Sequence, residues 1–228
     1  MGSGEFLPWS AEAERFALVS TPRSGPIAIL ATASAPEGDD VFGRWNSMAA
    51  KHYASLGLQA RILELRTRAD TDNPDLIRAV DEAGMVFFSG GNPMYLHDTL
   101  DGTPFLEAIT RALAGGAVFA GCSAGAMVAS ARSARAAGPS FRSVGLGLVP
   151  HSRFGAHWNR VPGIPGLKRF MVAGMQKTDS FVGIDEMTAI VGDGVEWRVF
   201  GQGTVEARRL GNRRVFRAGD DFSLAGDV

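Results

Sequence analysis

Over the first 132 residues, short unbroken apolar runs alternate with stretches whose apolar residues recur at helical spacing. Residues 27–33 (IAILATA) end in Ser-Ala-Pro-Glu-Gly, which predicts a buried strand followed by a loop. Residues 41–56 carry Phe42, Trp45, Met48, Ala49, Tyr53 and Leu56 near helical spacing and stop at Gly57, as a helix with a C-terminal glycine does. ARILEL (60–65) predicts the next strand. Asn73-Pro74 opens a helix to about Ala83, because asparagine caps and proline suits the first turn. GMVFFSGGN (84–92) predicts a strand that breaks at a glycine pair. Thr103-Pro104 opens a helix to about Ala114, AVFAG (117–121) reads as a strand, and 124–132 as a helix. Strands apolar throughout and separated by helices predict a parallel sheet covered on both faces. Beyond Gly138 the rhythm changes. TAIVG, EWRVFG, TVEARRL and RVFRAG predict short antiparallel strands added at a sheet edge. With no repeat or linker in the pattern, a single domain over 1–228 is expected. GSGEF near the start would suit a loop leaving a first strand, yet only Met1 precedes it.

The chain has 228 residues, 45% hydrophobic and 21% charged, an ordinary globular mix. A net charge of −1 supplies no global field for nucleic acid or an anionic membrane. A single cysteine leaves no disulfide framework and no paired-cysteine zinc site. The first ten residues lack the basic and apolar regions of a signal peptide, and no apolar run is long enough to span a bilayer. A cytoplasmic protein is expected, with no metal and no organic cofactor.

Chemistry concentrates at Gly121-Cys122-Ser123-Ala124-Gly125, a G-x-S-x-G between an apolar strand and a helix-prone run. Such a turn lifts the central side chain clear of the sheet and sets it at a helix N-terminus. The register favours Ser123 over Cys122, which falls one residue early. The motif alone is weak, and a Gly-rich turn with a capping serine would look the same.

A serine nucleophile needs a base. Of four histidines, His52 falls on a helix and His97 in NPMYLHDTL, both surface or structural positions. His151 and His157 share the loop VPHSRFGAHWNR, and local sequence does not separate them. The orienting acid cannot lie between serine and histidine, since no Asp or Glu occurs between Glu107 and Asp179. Asp185 and Glu186, in FVGIDEMTAIV, precede an apolar run and suit a fixed acid. The acid-free window carries Arg132, Arg135, Arg142, Arg153 and Arg160. A site wrapped by it would be locally cationic and suit an anionic substrate held by arginine. Gly90-Gly91-Asn92 ends a neighbouring strand, where backbone N–H groups could face an oxyanion together with that of Ala124.

FFSGGNPMYL, GCSAGAM, GLGLVP followed by a histidine, and GIDEMTAIV, in this order, resemble the serine peptidases typified by dipeptidase E and cyanophycinase. GSGEFLPW also resembles members of this group, so the likeness spans nearly the whole chain. The resemblance implies the class I glutamine amidotransferase-like superfamily, an α/β flavodoxin-like three-layer sandwich with a mostly parallel sheet and short antiparallel additions near the C-terminus. It implies Ser123 as nucleophile, His157 as base, Glu186 as acid, and Gly91 with Ala124 as the oxyanion hole. Asn92, Arg153 and Arg160 are the substrate-binding candidates. Two departures stand out. Gly155 replaces the polar residue usual two before the histidine, and Asn92-Pro93 stands where cyanophycinases often have Asp-Gln.

The expected activity is that of a serine exopeptidase or dipeptidase acting on small acidic peptides at aspartyl or β-aspartyl bonds. A non-catalytic binding or regulatory member of the fold and an amidase with a non-peptide substrate are the alternatives. Glutamine amidotransfer is disfavoured by serine at the elbow centre. A homodimer is left open.

Overall fold

The computed structural model describes residues 1–132, 144–161, 179–209 and 212–225. Four strands, β1 (Ile27–Leu30), β2 (Ala60–Ile62), β3 (Met85–Phe88) and β4 (Val118–Gly121), form a parallel sheet of order β2-β1-β3-β4. Alternate residues serve opposite faces of the sheet. Ile27, Ile29, Met85 and Phe87 pack with Ala17 of α1 (Ala11–Val19) and Ala49 and Tyr53 of α2 (Asp39–Ser55). Ala28, Leu30, Val86 and Phe88 join a second apolar cluster. It draws on α3 (Pro74–Asp81), α4 (Pro93–Leu100) and α5 (Pro104–Ala114), with Val80, Leu96, Phe105 and Ile109 buried. This double coverage is why β1 and β3 are apolar at every position, whereas β2 carries the exposed Arg61. Each such large side chain contributes about 1.5–3 kcal/mol by leaving water.

The predicted starts of α3 and α5 hold. The Asn73 side chain accepts from the Asp75 amide and Thr103 from that of Leu106. The helix predicted over 124–132 is shorter, α6 (Ala124–Val128), because the chain beyond it finds other partners. The Ala131 amide donates to the Ser152 carbonyl, and Leu146 donates to Val128. The predicted strand over 27–33 ends at Leu30, and a 3-10 helix occupies Thr32–Glu37.

The C-terminal strands are β5 (Ser152–Gly155), β6 (Ser180–Ile184), β7 (Thr188–Gly192), β8 (Glu196–Gly201), β9 (Thr204–Arg209), β10 (Asn212–Arg217) and β11 (Asp221–Ser223). Among the described residues they do not extend the edge of the central sheet directly. Among the described residues they make two further sheets, β10-β9-β6-β5 and β11-β8-β7, antiparallel except for β5 against β6. Leu210, predicted to end one of these strands, and Arg135 and Arg142 lie outside the described residues.

Candidate active site

β4 ends at Gly121 and α6 begins at Ala124, so Ser123 occupies the bend between them. Its backbone is strained, with φ 50° and ψ −109°, a conformation that costs about 1–3 kcal/mol and persists only under tight packing. The packing is visible on both sides. A methyl group on Gly121 would collide with the Gly125 backbone, and one on Gly125 with the Phe88 carbonyl. The Ser123 amide donates to the Met1 carbonyl at 3.1 Å.

The Ser123 hydroxyl lies 2.9 Å from Nε2 of His157. Nδ1 of the same ring lies 3.2 Å from Oε1 of Glu186. With Glu186 accepting from Nδ1–H, Nε2 presents its lone pair to the serine hydroxyl. Both histidine and glutamate are reachable from solvent, with side chains 42% and 26% exposed. The Glu186 carboxyl is held below its usual range, first by the hydrogen bond from Arg160 and then by that from His157. The Arg160 Nε donates to Oε2 at 2.8 Å, so each carboxylate oxygen has its own donor.

His157 also has a positive φ, 51°. The next residue holds it there. Trp158 is 2% exposed, its amide donates to the Ile184 carbonyl at 3.0 Å, and its indole packs directly against Gly183 of β6. Asn159 Oδ1 accepts from the Glu186 amide at 3.1 Å, tying the histidine loop to the acid's turn. Gly155, the departure noted above, ends β5 opposite Gly183.

The glycine pair lies beside the serine. A methyl on Gly90 would stand 3.3 Å from the Ser123 Cβ. Gly91 has φ 140°, and a side chain there would strike the Ala33 backbone, so the approach requires glycine. Among the described residues, the Gly91 and Ala124 amides donate to no protein acceptor. Below the pair lies the buried Glu5, 3% exposed, whose carboxylate accepts from the Gly90 amide at 2.9 Å.

The alternatives separate clearly. Cys122 is fully buried, and burial first, with the Glu5 carboxylate next, pushes its thiol well above the usual range. His151 is 75% exposed and faces Asp179 at 3.9 Å. The Asp185 carboxylate is taken by the Thr204 amide and hydroxyl at 2.9 and 2.7 Å. His52 is buried against Glu14 at 2.6 Å, and His97 sits on α4 beside Asp98.

The substrate-binding candidates are dispersed. Asn92 caps α4, its Oδ1 accepting from the Met94 and Tyr95 amides. Arg153 pairs with Asp179 in a hollow that also holds His151 and contains none of the Ser123, His157 and Glu186 side chains. Arg132 pairs with Asp101. The described arginines of the acid-free window are thus matched by acids from elsewhere in the chain. Among the described residues, no group of three or more His, Cys, Asp or Glu side chains could hold a metal ion, and no helix is long and apolar enough to cross a membrane. Sequence reasoning missed Glu5, Asn159 and the Arg160–Glu186 pair. Each contact joins distant segments, and no local signal marks it.

The model of peptidase family S51 matches residues 32–200, well over half of the chain. Over 157 residues the chain is 29% identical to a cyanophycinase of Trichormus variabilis and, to the same extent, to one of Nostoc sp.. That match covers 64% of this chain and 52% of the cyanophycinases, so the chain spans about half the length of the curated relatives it matches. The crystal structure of a peptidase from an acI-B1 Actinobacterium superposes with a TM-score of 0.87 at 30% identity, covering 98% of this chain and 95% of that one. A putative peptidase E from Listeria monocytogenes EGD-e shares the fold, with a TM-score of 0.52 at 20% identity over 84% and 89% of the two chains.

Proposed function

We propose, from the premise that this chain belongs to peptidase family S51, that it is a serine hydrolase cleaving peptide bonds of small acidic peptides through an acyl-enzyme. The observation that carries this is the 2.9 Å contact between a strained, half-buried Ser123 and His157 Nε2. His157 takes the hydroxyl proton as Ser123 attacks the scissile carbonyl. Glu186 orients the ring and stabilises the imidazolium. The free amides of Gly91 and Ala124 donate to the developing oxyanion, aided by the N-terminus of the short helix that follows. The leaving amine receives the proton from His157, and water then resolves the acyl-enzyme by the same route.

Aspartyl or β-aspartyl bonds are the proposed substrates. The names of the relatives, cyanophycinase and peptidase E, support this class. Arg160, 76% exposed and beside the histidine, is the arginine whose position best supports recognition of an acidic side chain. Asn92, next to Gly91, is the proposed neutral partner.

The test is a panel of aspartyl dipeptides, β-aspartyl dipeptides and cyanophycin given to the purified protein and to Ser123→Ala. Turnover of one class is expected, falling by more than about 10³-fold in the variant. A fluorophosphonate should label the parent at Ser123 and leave the variant unlabelled. Equal turnover by the two proteins would refute the assignment, and absence of labelling in the parent would favour a binding role for the fold.

A further inference from the structure

GSGEF, which the sequence marks as a loop, holds an acid that Ser123, His157 and Glu186 do not use. Glu5 is 3% exposed, and an acid this buried is rare unless its oxygens are bonded. Its neighbours hold it from both sides. The Gly4 carbonyl accepts from the Trp9 indole at 2.7 Å. Phe6 has a positive φ of 62°, and its ring lies 4.9 Å from that of Phe87 in β3. A non-glycine residue stays in that conformation only where packing holds it there. The carboxylate is thus aimed by a tethered backbone on one side and an aromatic anchor in the core on the other.

Its target is the backbone between the glycine pair and the serine. Glu5 Oε1 accepts from the Gly90 amide at 2.9 Å. A methyl on Gly90 would stand 3.2 Å from that same oxygen and 3.3 Å from the Ser123 Cβ. Only bare glycine backbone fits between the two side chains. Glu5 also faces the thiol of Cys122, the residue before the serine. It therefore reaches both segments that supply oxyanion donors, the one ending in Gly91 and the one leading to Ala124.

The amides of residues 89–92 show what the bond to Gly90 does. Ser89 donates to the Leu30 carbonyl at 3.1 Å, Gly90 to Glu5, and Asn92 to the Ala33 carbonyl at 2.7 Å. Among the described residues, Gly91 is the member of this run whose amide has no protein acceptor. A free N–H is thus flanked by tied ones. Main-chain carbonyls hold two of the tied amides, and the Glu5 side chain holds the one directly before Gly91. Glycines restrain their own backbone weakly, so the direction of the Gly91 N–H depends on these bonds.

We propose that Glu5 is a positioning residue of the oxyanion hole: by accepting from Gly90 it sets the direction of the Gly91 amide. This rests on the hydrolase reading above. An oxyanion donor acts through its aim at the point where charge develops, so a loosened tether slows attack while substrate still binds. The requirement is for an acceptor oxygen, not for a charge.

Glu5→Gln and Glu5→Met separate the two. Both are neutral and close to glutamate in length, but Gln presents a carbonyl oxygen to Gly90 and the Met thioether is only a weak acceptor. The probe is a fluorophosphonate, whose phosphonyl oxygen takes the place of the oxyanion as Ser123 reacts. The labelling rate constant of Glu5→Met should be at least about 10-fold below that of Glu5→Gln. On the dipeptide that the parent turns over, the loss should fall on kcat, with KM within about 2-fold. A role in folding alone would lower the labelled fraction or the melting temperature and leave the rate constant of the labelled molecules unchanged. Amide exchange at Gly90, read without the probe, should be at least about 10-fold faster in Glu5→Met than in Glu5→Gln. Equal rate constants in the two variants, beside a parent that labels, would overturn this proposal and leave the hydrolase reading standing. So would a parent whose Gly90 amide exchanges as fast as that of Gly91, a comparison that holds even where Glu5→Met does not fold. A parent that does not label would overturn the hydrolase reading and this proposal with it.

Discussion

At the scale of single residues, the Glu186 carboxylate is divided between two donors. Arg160 is the larger cause of its lowered pKa and His157 the smaller. A depressed carboxyl stays ionised to lower pH than an ordinary one, so Arg160 extends the acid range over which the imidazole has a charged partner. Removing the guanidinium removes the first cause of the depression, so Glu186 protonates at higher pH and the ring loses its charged partner sooner as pH falls. The acid limb of kcat for Arg160→Gln should therefore move to higher pH, with the alkaline plateau within about 10-fold of the parent. Arg160→Lys should recover part of the shift. Superimposable pH profiles of the parent and Arg160→Gln, measured at saturating substrate, would show that Arg160 does not tune the pair. If Arg160 also meets an acidic substrate, KM should rise in both variants.

At the scale of elements, the histidine is placed by the neighbour that anchors it. A methyl on Gly183 would stand 2.5–2.7 Å from the Trp158 indole, well inside contact distance. Gly183→Ala must displace the tryptophan from β6 and carry His157 away from Ser123. A shift of about 1 Å at a catalytic group can cost about 10²-fold in rate, whereas overpacking a core position costs about 1–3 kcal/mol. The expected signature is thus a kcat loss of about 10²-fold or more in a protein that still unfolds cooperatively, read from turnover and urea melts of the same preparation. A kcat within a few-fold of the parent would remove Trp158 as the anchor. Local pattern carried much of this architecture. β1 and β3 were legible because strands buried on both faces are apolar throughout, and α3 and α5 because Asn73, Thr103 and the prolines after them mark helix starts. The end of α6 was not, since Val128 accepts from Leu146, 18 residues on, rather than from a residue one turn ahead. The grouping of the last strands into separate sheets was likewise hidden, because pairing depends on register between distant segments. For the site, the G-x-S-x-G frame pointed to Ser123 and the resemblance singled out His157 and Glu186. Glu5, Asn159 and the pairing of Arg160 emerge only when segments far apart in sequence meet.

At the scale of the whole molecule, the three groups come from different parts of the fold. Ser123 rides on the central sheet, His157 follows β5, and Glu186 lies in the turn between β6 and β7. Hydrogen bonds between these parts include Ala131 to Ser152, Phe154 to Ser130, Trp158 to Ile184, and Glu186 to Asn159. The central sheet is packed between two largely buried apolar clusters, whereas the His157 and Glu186 side chains are partly exposed. Regions tied by few buried contacts open at lower free energy than the core they rest on. In a urea titration, fluorophosphonate labelling of Ser123 should therefore be lost before far-UV circular dichroism falls, with midpoints separated by at least about 0.5 M. Near-UV dichroism should follow the labelling curve, because Trp158 leaves its bed on Gly183 as the site opens. Coincident midpoints for all three signals would mean that the contacts between sheets are as strong as those within them, and that the site is lost only when the fold is.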